Sequence, residues 1–499
     1  MDKVLGKMYN PSLKNLSDML FNPTEVIKSQ ENLFLRKLAA GSILFLADII
    51  VLSATILLTL IARDNFFPGD VDLNKYLDIF PLIILLFPAI FFLRGLYPGF
   101  GIDVIQELRI LTYSITFVYA ILATLSFLVK DAWDYSRIAF VLSWGIAVLT
   151  VPMGRALVRK LFSHQNWWGV PVIIIGAGNS GEQVIKSLKK HHQIGLRPIV
   201  AIDDNSDKWG YIENVPVVGG MEVIPQLVEK LDIEQAIIAM PNASRSKKQE
   251  IINNYSKYFK NTTFIPDLYG ISSLWVSSKD LGGIVGLEVQ QKLLKTSSQI
   301  RKRLFDIVLA FTLSILALPL IIIIAVLIKI DSRGKVFFKQ ERMGKGDSRF
   351  NIVKFRTMHY DAEKRLSDLL AKNKELKAEY EVYHKMKNDP RLTRVGRILR
   401  KYSLDELPQF WNVLKGEMSL IGPRAYMPWE KYKMNGHEEM ILKVKPGISG
   451  LWQVTDRNAS SFEERNATDV YYIRNWSMFL DIYIVARTIA VVLSGKGAY

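Results

Sequence analysis

Asp405 and Glu406 are adjacent carboxylates in a stretch crowded with arginines. The stretch runs Asp389-Pro390-Arg391, then Arg400-Lys401-Tyr402-Ser403-Leu404-Asp405-Glu406-Leu407-Pro408-Gln409, then Met418-Ser419-Leu420-Ile421-Gly422-Pro423-Arg424. A carboxylate can attack phosphorus or hold a divalent metal, while guanidinium groups neutralise phosphate oxygens. These residue types point to chemistry on a phosphorylated substrate. A plainer reading stands beside it. Ser403-x-x-Glu406 is a capping-box pattern, so the acids could simply start a helix. With Asp405 as N-cap, Pro408 falls at N3, where a missing N–H costs nothing. The positive end of the helix dipole would then keep Asp405 ionised and draw phosphate towards it. Capping and chemistry are compatible, and spacing alone leaves them at even weight.

The elements that would position these groups begin with composition. A chain of 499 residues should hold several domains. Hydrophobic residues make up 49% and mean hydropathy is +0.14, values that suit a protein partly inside a membrane. Net charge is +16, and residues 332–499 carry 31 Lys/Arg against 20 Asp/Glu. A basic surface next to apolar segments predicts anionic lipid headgroups and anionic substrates as partners. Nucleic acid is the competing partner, but no nucleic-acid motif is present. With no cysteine, disulfides, thiolate catalysis and cysteine metal sites are excluded. Met1–Lys37 is polar and charged, so no cleavable signal peptide is expected.

Four apolar segments, about Leu38–Ile61, Leu77–Leu93, Ile110–Val129 and Ile138–Val158, predict a four-helix transmembrane bundle in residues 1–165. Arg36-Lys37 before the first and Arg155, Arg159 and Lys160 at the end of the fourth place both ends in the cytoplasm. Residues 166–295 read as a Rossmann-like α/β domain: Val170–Ile175 enters Gly176-Ala177-Gly178-Asn179-Ser180-Gly181, and a second strand ends in Asp203-Asp204. A nucleotide-sugar dehydratase or epimerase would need a Tyr-x-x-x-Lys couple here, and Tyr211, Tyr255, Tyr258 and Tyr269 lack the lysine. The glycines are also what a tight strand–helix turn requires. A structural or ligand-sensing role is favoured over a redox one. Residues 296–331 hold the apolar run Leu304–Ile330, with Pro319 near its middle and basic flanks at Arg301-Lys302-Arg303 and Arg333/Lys335. A helix that breaks at the proline and returns to the same face satisfies both features; a bent span is the alternative. Ser314 could satisfy backbone groups freed at the break. Residues 332–499 predict a hairpin over Phe337–Gly344 and Phe350–Met358 and a charged helix over Asp361–Lys387. Arg391, Arg394, Arg397 and Arg400 should divide between a phosphate-facing and a solvated side. Met478–Leu493, with Trp476 and Tyr483, reads as an interfacial amphipathic helix. Pro446-Gly447-Ile448-Ser449-Gly450 forms a turn whose N–H groups and Ser449 hydroxyl could cradle phosphate.

Four motifs, Lys354-Phe355-Arg356-Thr357-Met358, Ser403–Gln409, Met418–Arg424 and Pro446–Val454, resemble the bacterial sugar transferases, the monotopic phosphoglycosyl transferases. The resemblance covers about 300–499, and the long N-terminal extension is similar to that of the large members. It implies a multidomain membrane protein: the bundle, the Rossmann-like domain, a re-entrant membrane helix broken near Pro319, and a mostly α-helical catalytic domain. The implied reaction moves a sugar-1-phosphate, galactose first and glucose second, from a UDP-sugar to undecaprenyl phosphate, releasing UMP. In the family Asp405 matches the nucleophile that forms an aspartyl-phosphosugar. Glu406 and, near the metal, Asp469 match Mg²⁺ positions; Arg400 matches an arginine beside phosphate, with Lys354, Arg356 and Arg424 as further candidates, and Arg457 follows a position near the nucleotide. The sequence departs from the family at Leu318, Ala425 and Ser449, where members carry a small polar residue, proline and threonine. The resemblance further implies a bacterial inner-membrane location, soluble domains on the cytoplasmic side, a homodimer and a first step in O-antigen or capsule assembly. The rival classes are a membrane-bound dehydratase or epimerase and a non-catalytic scaffold.

Overall fold

The computed structural model describes residues 33–67, 73–128, 136–266, 276–280, 285–289, 292–372, 389–455 and 461–494. The chain forms two compact units, Met1–Leu268 and Tyr269–Tyr499.

In the first unit all four apolar segments are helices: Leu33–Phe66, Leu73–Leu93, Val104–Leu128 and Arg137–Phe162. The first, third and fourth are long and apolar enough to cross a membrane; the second, with Pro81 and Pro88 inside it, has a shorter apolar part, Phe80–Leu93. Leu52, Phe87, Phe91, Leu111, Ile115 and Val151 interlock at the centre of the bundle. One polar cluster is buried among them. Arg155 donates to Asp48 at 2.6 Å and to Glu107 at 3.1 Å, and Arg159 donates to Glu107 at 2.9 Å. These contacts join three helices, and leaving one such charge unpaired would cost about 3–5 kcal/mol.

The α/β part of this unit is a six-stranded sheet in the order β3-β4-β2-β1-β5-β6. The strands are β1 Val170–Ile175, β2 Leu196–Ile202, β3 Gly210–Ile212, β4 Val215–Val217, β5 Gln235–Ile238 and β6 Asn261–Phe264. β1 pairs in parallel with β2 and β5, as a Rossmann-like unit requires. The Asp203 carboxylate accepts from Ala177 N at 2.8 Å, Asn205 N at 3.0 Å and Lys208 Nζ at 3.0 Å. It therefore braces the glycine turn. The sheet ends at Phe264, and the hairpin β7 Val276–Asp280 with β8 Val285–Val289 belongs to the second unit, although sequence grouped it with the sheet.

After this hairpin the second unit continues with the 36-residue helix Thr296–Asp331, unbroken through Pro319. The expected interruption of helical structure at the proline is absent, and Ser314 serves the turn before it, donating to Ala310 O at 2.6 Å. Both limbs contact the same domain. Arg303 donates to the carbonyls of Val413 and Leu414 at 2.6 and 3.0 Å, while Ile324 and Ile328 are buried with Phe355 and Leu399. The predicted hairpin forms as β9 Phe337–Met343 and β10 Arg349–Phe355, antiparallel. Of the charged helix, Ala362–Lys372 is described, and 373–388 lies outside the described residues. The C-terminal helix Met478–Ser494 is tied inward. Asp481 is wholly buried and accepts from Lys302 Nζ at 2.7 Å, Tyr472 OH at 2.7 Å and Trp476 Nε1 at 2.9 Å. Trp476, expected at an interface, is buried because its indole N–H finds this carboxylate inside.

Candidate active site

A cleft of about 1520 Å³ opens in the second unit. Its polar end is lined by Lys354, Arg391, Arg400, Asp405 and Glu406; Leu309, Leu313, Val485, Ile489 and Val492 line an apolar wall.

The acids do not cap an α-helix. Leu404–Gln409 is a 3-10 turn, and the α-helix starts only at Phe410. Ser403 takes a left-handed conformation, φ 53°, and makes no side-chain cap. Glu406 is instead drawn across the cleft, where its Oε1 accepts from Lys354 Nζ at 2.6 Å. The left-handed residue reverses the chain, so Arg400 before it and Asp405 after it both line the cleft. Burial pushes the Asp405 carboxyl up to about 6, against the opposing pull of Lys354.

Arg400 is aimed by its docking. Its helix, Arg394–Lys401, is capped by Thr393, and Thr393 N donates to Thr357 O at 3.0 Å. A side chain at Gly396 would come within 2.0 Å of that same Thr357 carbonyl, so glycine is required for the approach. One turn later Arg400 Nε donates to Thr357 Oγ1 at 3.0 Å. Arg391 is buried and grips Asp389 through two hydrogen bonds, 2.8 and 2.6 Å. Burial alone would raise the Asp389 carboxyl, but Arg391 outweighs it and holds it below its ordinary range. Arg394 and Arg397 are exposed, so the arginines do divide in two. Sequence gives no signal for Thr357 beyond its place in Lys354-Phe355-Arg356-Thr357-Met358, because its partners lie 36 and 43 residues away.

Other expected site residues have different partners. Arg356 lines the cleft, but its guanidinium donates to the carbonyls of Arg333 and Ser332, each at 2.8 Å, and so closes the C-terminus of helix Thr296–Asp331. The Pro446–Gly450 segment is not an open cradle. It pairs in parallel as β12 Gly447–Ser449 with β11 Ser419–Ile421, and Gly447 N donates to Pro423 O at 2.8 Å. A Cβ on Gly447 would lie 2.1 Å from Gly422 N, so these glycines let two backbones meet; Gly450 approaches Gly422 O in the same way. Ser449 lines the cleft with its hydroxyl shared with Thr488 at 2.7 Å. Arg424 lies over the Trp452 ring, 5.6 Å from its centroid, and Trp452 lines the cleft. Asp469 is wholly buried and is not among the residues lining the cleft with Glu406. It accepts from Arg424 N at 3.1 Å and Tyr426 OH at 2.9 Å, and burial pushes its carboxyl up to about 7. Arg457 lies outside the described residues.

The arrangement offers a partly desolvated carboxyl group at Asp405, a neighbouring carboxylate paired with lysine, and a braced arginine. Thr357→Val keeps the side chain's shape but removes the acceptor for Arg400. Affinity for UDP, measured by calorimetry on the full-length protein, should fall about tenfold. An unchanged Kd would show that Arg400 does not depend on Thr357.

Residues 297–495 match the family described as bacterial sugar transferase, and residues 94–266 match a CoA-binding domain. The UDP-galactose-lipid carrier transferase of Erwinia amylovora is 35% identical over 74% of this chain and 77% of its own length. The undecaprenyl-phosphate galactose phosphotransferase of Salmonella typhimurium is 34% identical over 77% of this chain and 81% of its own. The UDP-glucose:undecaprenyl-phosphate glucose-1-phosphate transferase of Xanthomonas campestris pv. campestris is 28% identical over 80% and 83%. With the motif residues Lys354, Arg400, Asp405 and Glu406 gathered in one cleft and likeness extending over three quarters of its length, this chain belongs to the bacterial sugar transferase family.

Proposed function

We propose that this enzyme transfers a sugar-1-phosphate from a UDP-sugar to undecaprenyl phosphate, releasing UMP. The observation that carries the reading is the Asp405-Glu406 pair at the polar end of a cleft whose other wall is apolar. The polar end suits a diphosphate, and the apolar wall suits the first isoprenoid units of a lipid acceptor. Galactose is the first choice of sugar, since relatives named for galactose are 30–35% identical and two named for glucose are 28–29% identical.

In the first half-reaction an Asp405 oxygen attacks the sugar-linked phosphorus. The bond from that phosphorus to the bridging oxygen breaks, and UMP leaves with the electron pair. In the second, an oxygen of the lipid phosphate attacks the same phosphorus, and the Asp405 carboxylate leaves. Two half-reactions let one site serve two bulky substrates in turn. Lys354 and Arg400 bring positive charge to the phosphoryl oxygens. Lys354 also holds Glu406 at 2.6 Å and so fixes the carboxylate beside the nucleophile. Glu406 suits Mg²⁺, which takes one or two carboxylates and completes its shell with water and substrate phosphate; it would neutralise diphosphate charge. Asp469 braces the Arg424 loop, because both of its hydrogen-bond donors belong to residues 424–426.

We further assign the helix Thr296–Asp331 a re-entrant path at the cytoplasmic face of the inner membrane. Along a straight helix Arg303 and Ile328 would stand about 38 Å apart. Yet Arg303 binds the Val413 carbonyl, its neighbour Asn412 binds Asn351 O at 2.8 Å on β10, and Ile328 packs on Phe355 of that strand. These contacts, the internal Pro319 and the basic flanks all support a bend that returns both ends to one side.

Membranes supplied with UDP-galactose and undecaprenyl phosphate should yield lipid-linked galactose, identified by mass, and UMP. Asp405→Asn should lose at least a thousandfold of this activity, because an amide is no nucleophile. Near-normal product from Asp405→Asn would refute the mechanism, and product only from UDP-glucose would reassign the sugar. For topology, cysteines placed at 301 and 335 in this cysteine-free chain should both react with an impermeant reagent only from the cytoplasmic face. Labelling of 335 from the periplasmic side would refute re-entry.

A further inference from the structure

Gln340 lines the cleft on β9, and neither the motifs nor the dyad chemistry gives it a role. The hairpin register pairs Gln340 with Ile352 and Phe338 with Lys354, so Gln340 and Lys354 share one face as diagonal neighbours. Their Cβ atoms should be roughly 7 Å apart, which sets Gln340 one step along the strands from the lysine that holds Glu406.

The orientation of its amide is dictated from behind. Arg342 is 6% exposed, donates from Nη1 to Ala425 O at 2.9 Å, and donates from Nη2 to Gln340 Oε1 at 2.7 Å. A guanidinium cannot accept a hydrogen bond, so the oxygen of the Gln340 amide must face it and the NH₂ must face away. The acceptor met on that side is Met427 Sδ at 4.0 Å, a weak partner at long range. A donor held rigidly in the cleft with so poor an acceptor is built for an oxygen supplied by a ligand. The surroundings favour an electron-rich one. Arg342 is held at about 10 by burial with the Arg424 charge beside it, and among the described residues neither arginine has a salt bridge.

We propose that Gln340 binds the donor substrate, its amide N–H donating to an oxygen of the sugar nucleotide, and that Arg342 is the positioning residue that keeps the amide in this orientation. The inference rests on the transferase reading above and adds a contact made by the donor and not by the lipid acceptor.

Binding of UDP-galactose and of UDP can be measured by calorimetry on the full-length protein in nanodiscs with Mg²⁺, in the Asp405→Asn background that cannot form the covalent adduct, so the readout does not need turnover. Gln340→Met, of similar length but without a donor, should weaken UDP-galactose binding roughly tenfold. The KM for undecaprenyl phosphate should stay unchanged. Gln340→Glu keeps the volume, pairs with Arg342 and presents only acceptors; it should weaken binding further and guards against a folding defect in the first variant. Loss of affinity for both ligands places the contact on the nucleotide diphosphate; loss for UDP-galactose alone places it on a sugar hydroxyl. Unchanged affinity for both ligands in both variants overturns the inference. A wild-type protein that binds no UDP-sugar removes the transferase reading itself, and this inference with it.

Discussion

The buried ion pair between Lys302 and Asp481 holds together the two helices that wall the cleft. Lys302 lies on helix Thr296–Asp331, which contributes Leu309 and Leu313; Asp481 lies on the C-terminal helix, which contributes Val485, Ile489 and Val492. Tyr472 and Trp476 also donate to Asp481, so its charge is fully met. A second carboxylate on the first helix, Asp306, accepts from Ser419 Oγ at 2.7 Å and Leu420 N at 3.2 Å, which ties in the strand behind the catalytic turn. Buried charges this well satisfied are costly to break, since either partner left alone keeps its desolvation penalty. The apolar wall and strand β11 are thus fixed to each other by polar contacts inside an apolar setting.

From this frame the chemistry is assembled by short-range devices. Ser403 reverses the chain, Gly396 lets a helix rest on the Thr357 carbonyl, and Lys354 reaches over to Glu406. Arg356 closes the end of the long helix, where its charge meets the negative pole of the dipole. Each device spends a backbone or side-chain group on position, and together they bring Asp405, Glu406 and Arg400 to one cleft. Gln340, held by Arg342, extends that donor surface along the hairpin.

Much of this was legible in the sequence. The apolar runs became helices, the short apolar run Val170–Ile175 entering a glycine turn became a strand of a parallel sheet, and the adjacent acids did reach one cleft. The failures have a common cause: local pattern is silent about long-range partners. Ser403-x-x-Glu406 fits a capping box, yet Glu406 is taken by Lys354, which is 52 residues away. The glycines of 446–450 look like a phosphate cradle but are needed by the backbone of Gly422. Trp476 reads as an interface anchor until Asp481 offers its indole an internal acceptor. Asp469 holds a position that the resemblance places near a metal, while its hydrogen-bond partners are a backbone N–H and a tyrosine hydroxyl.

The central claim is that Asp405 becomes covalently phosphorylated by the sugar donor before any lipid is engaged. Intact-mass measurement of the purified protein with UDP-galactose and Mg²⁺, in the absence of undecaprenyl phosphate, tests it directly. The account predicts a mass increase equal to one galactose-phosphate, one equivalent of UMP released, and loss of the adduct when the lipid is added. Normal turnover with lipid, but no adduct and no UMP burst without it, would contradict the claim and indicate direct transfer between the two substrates.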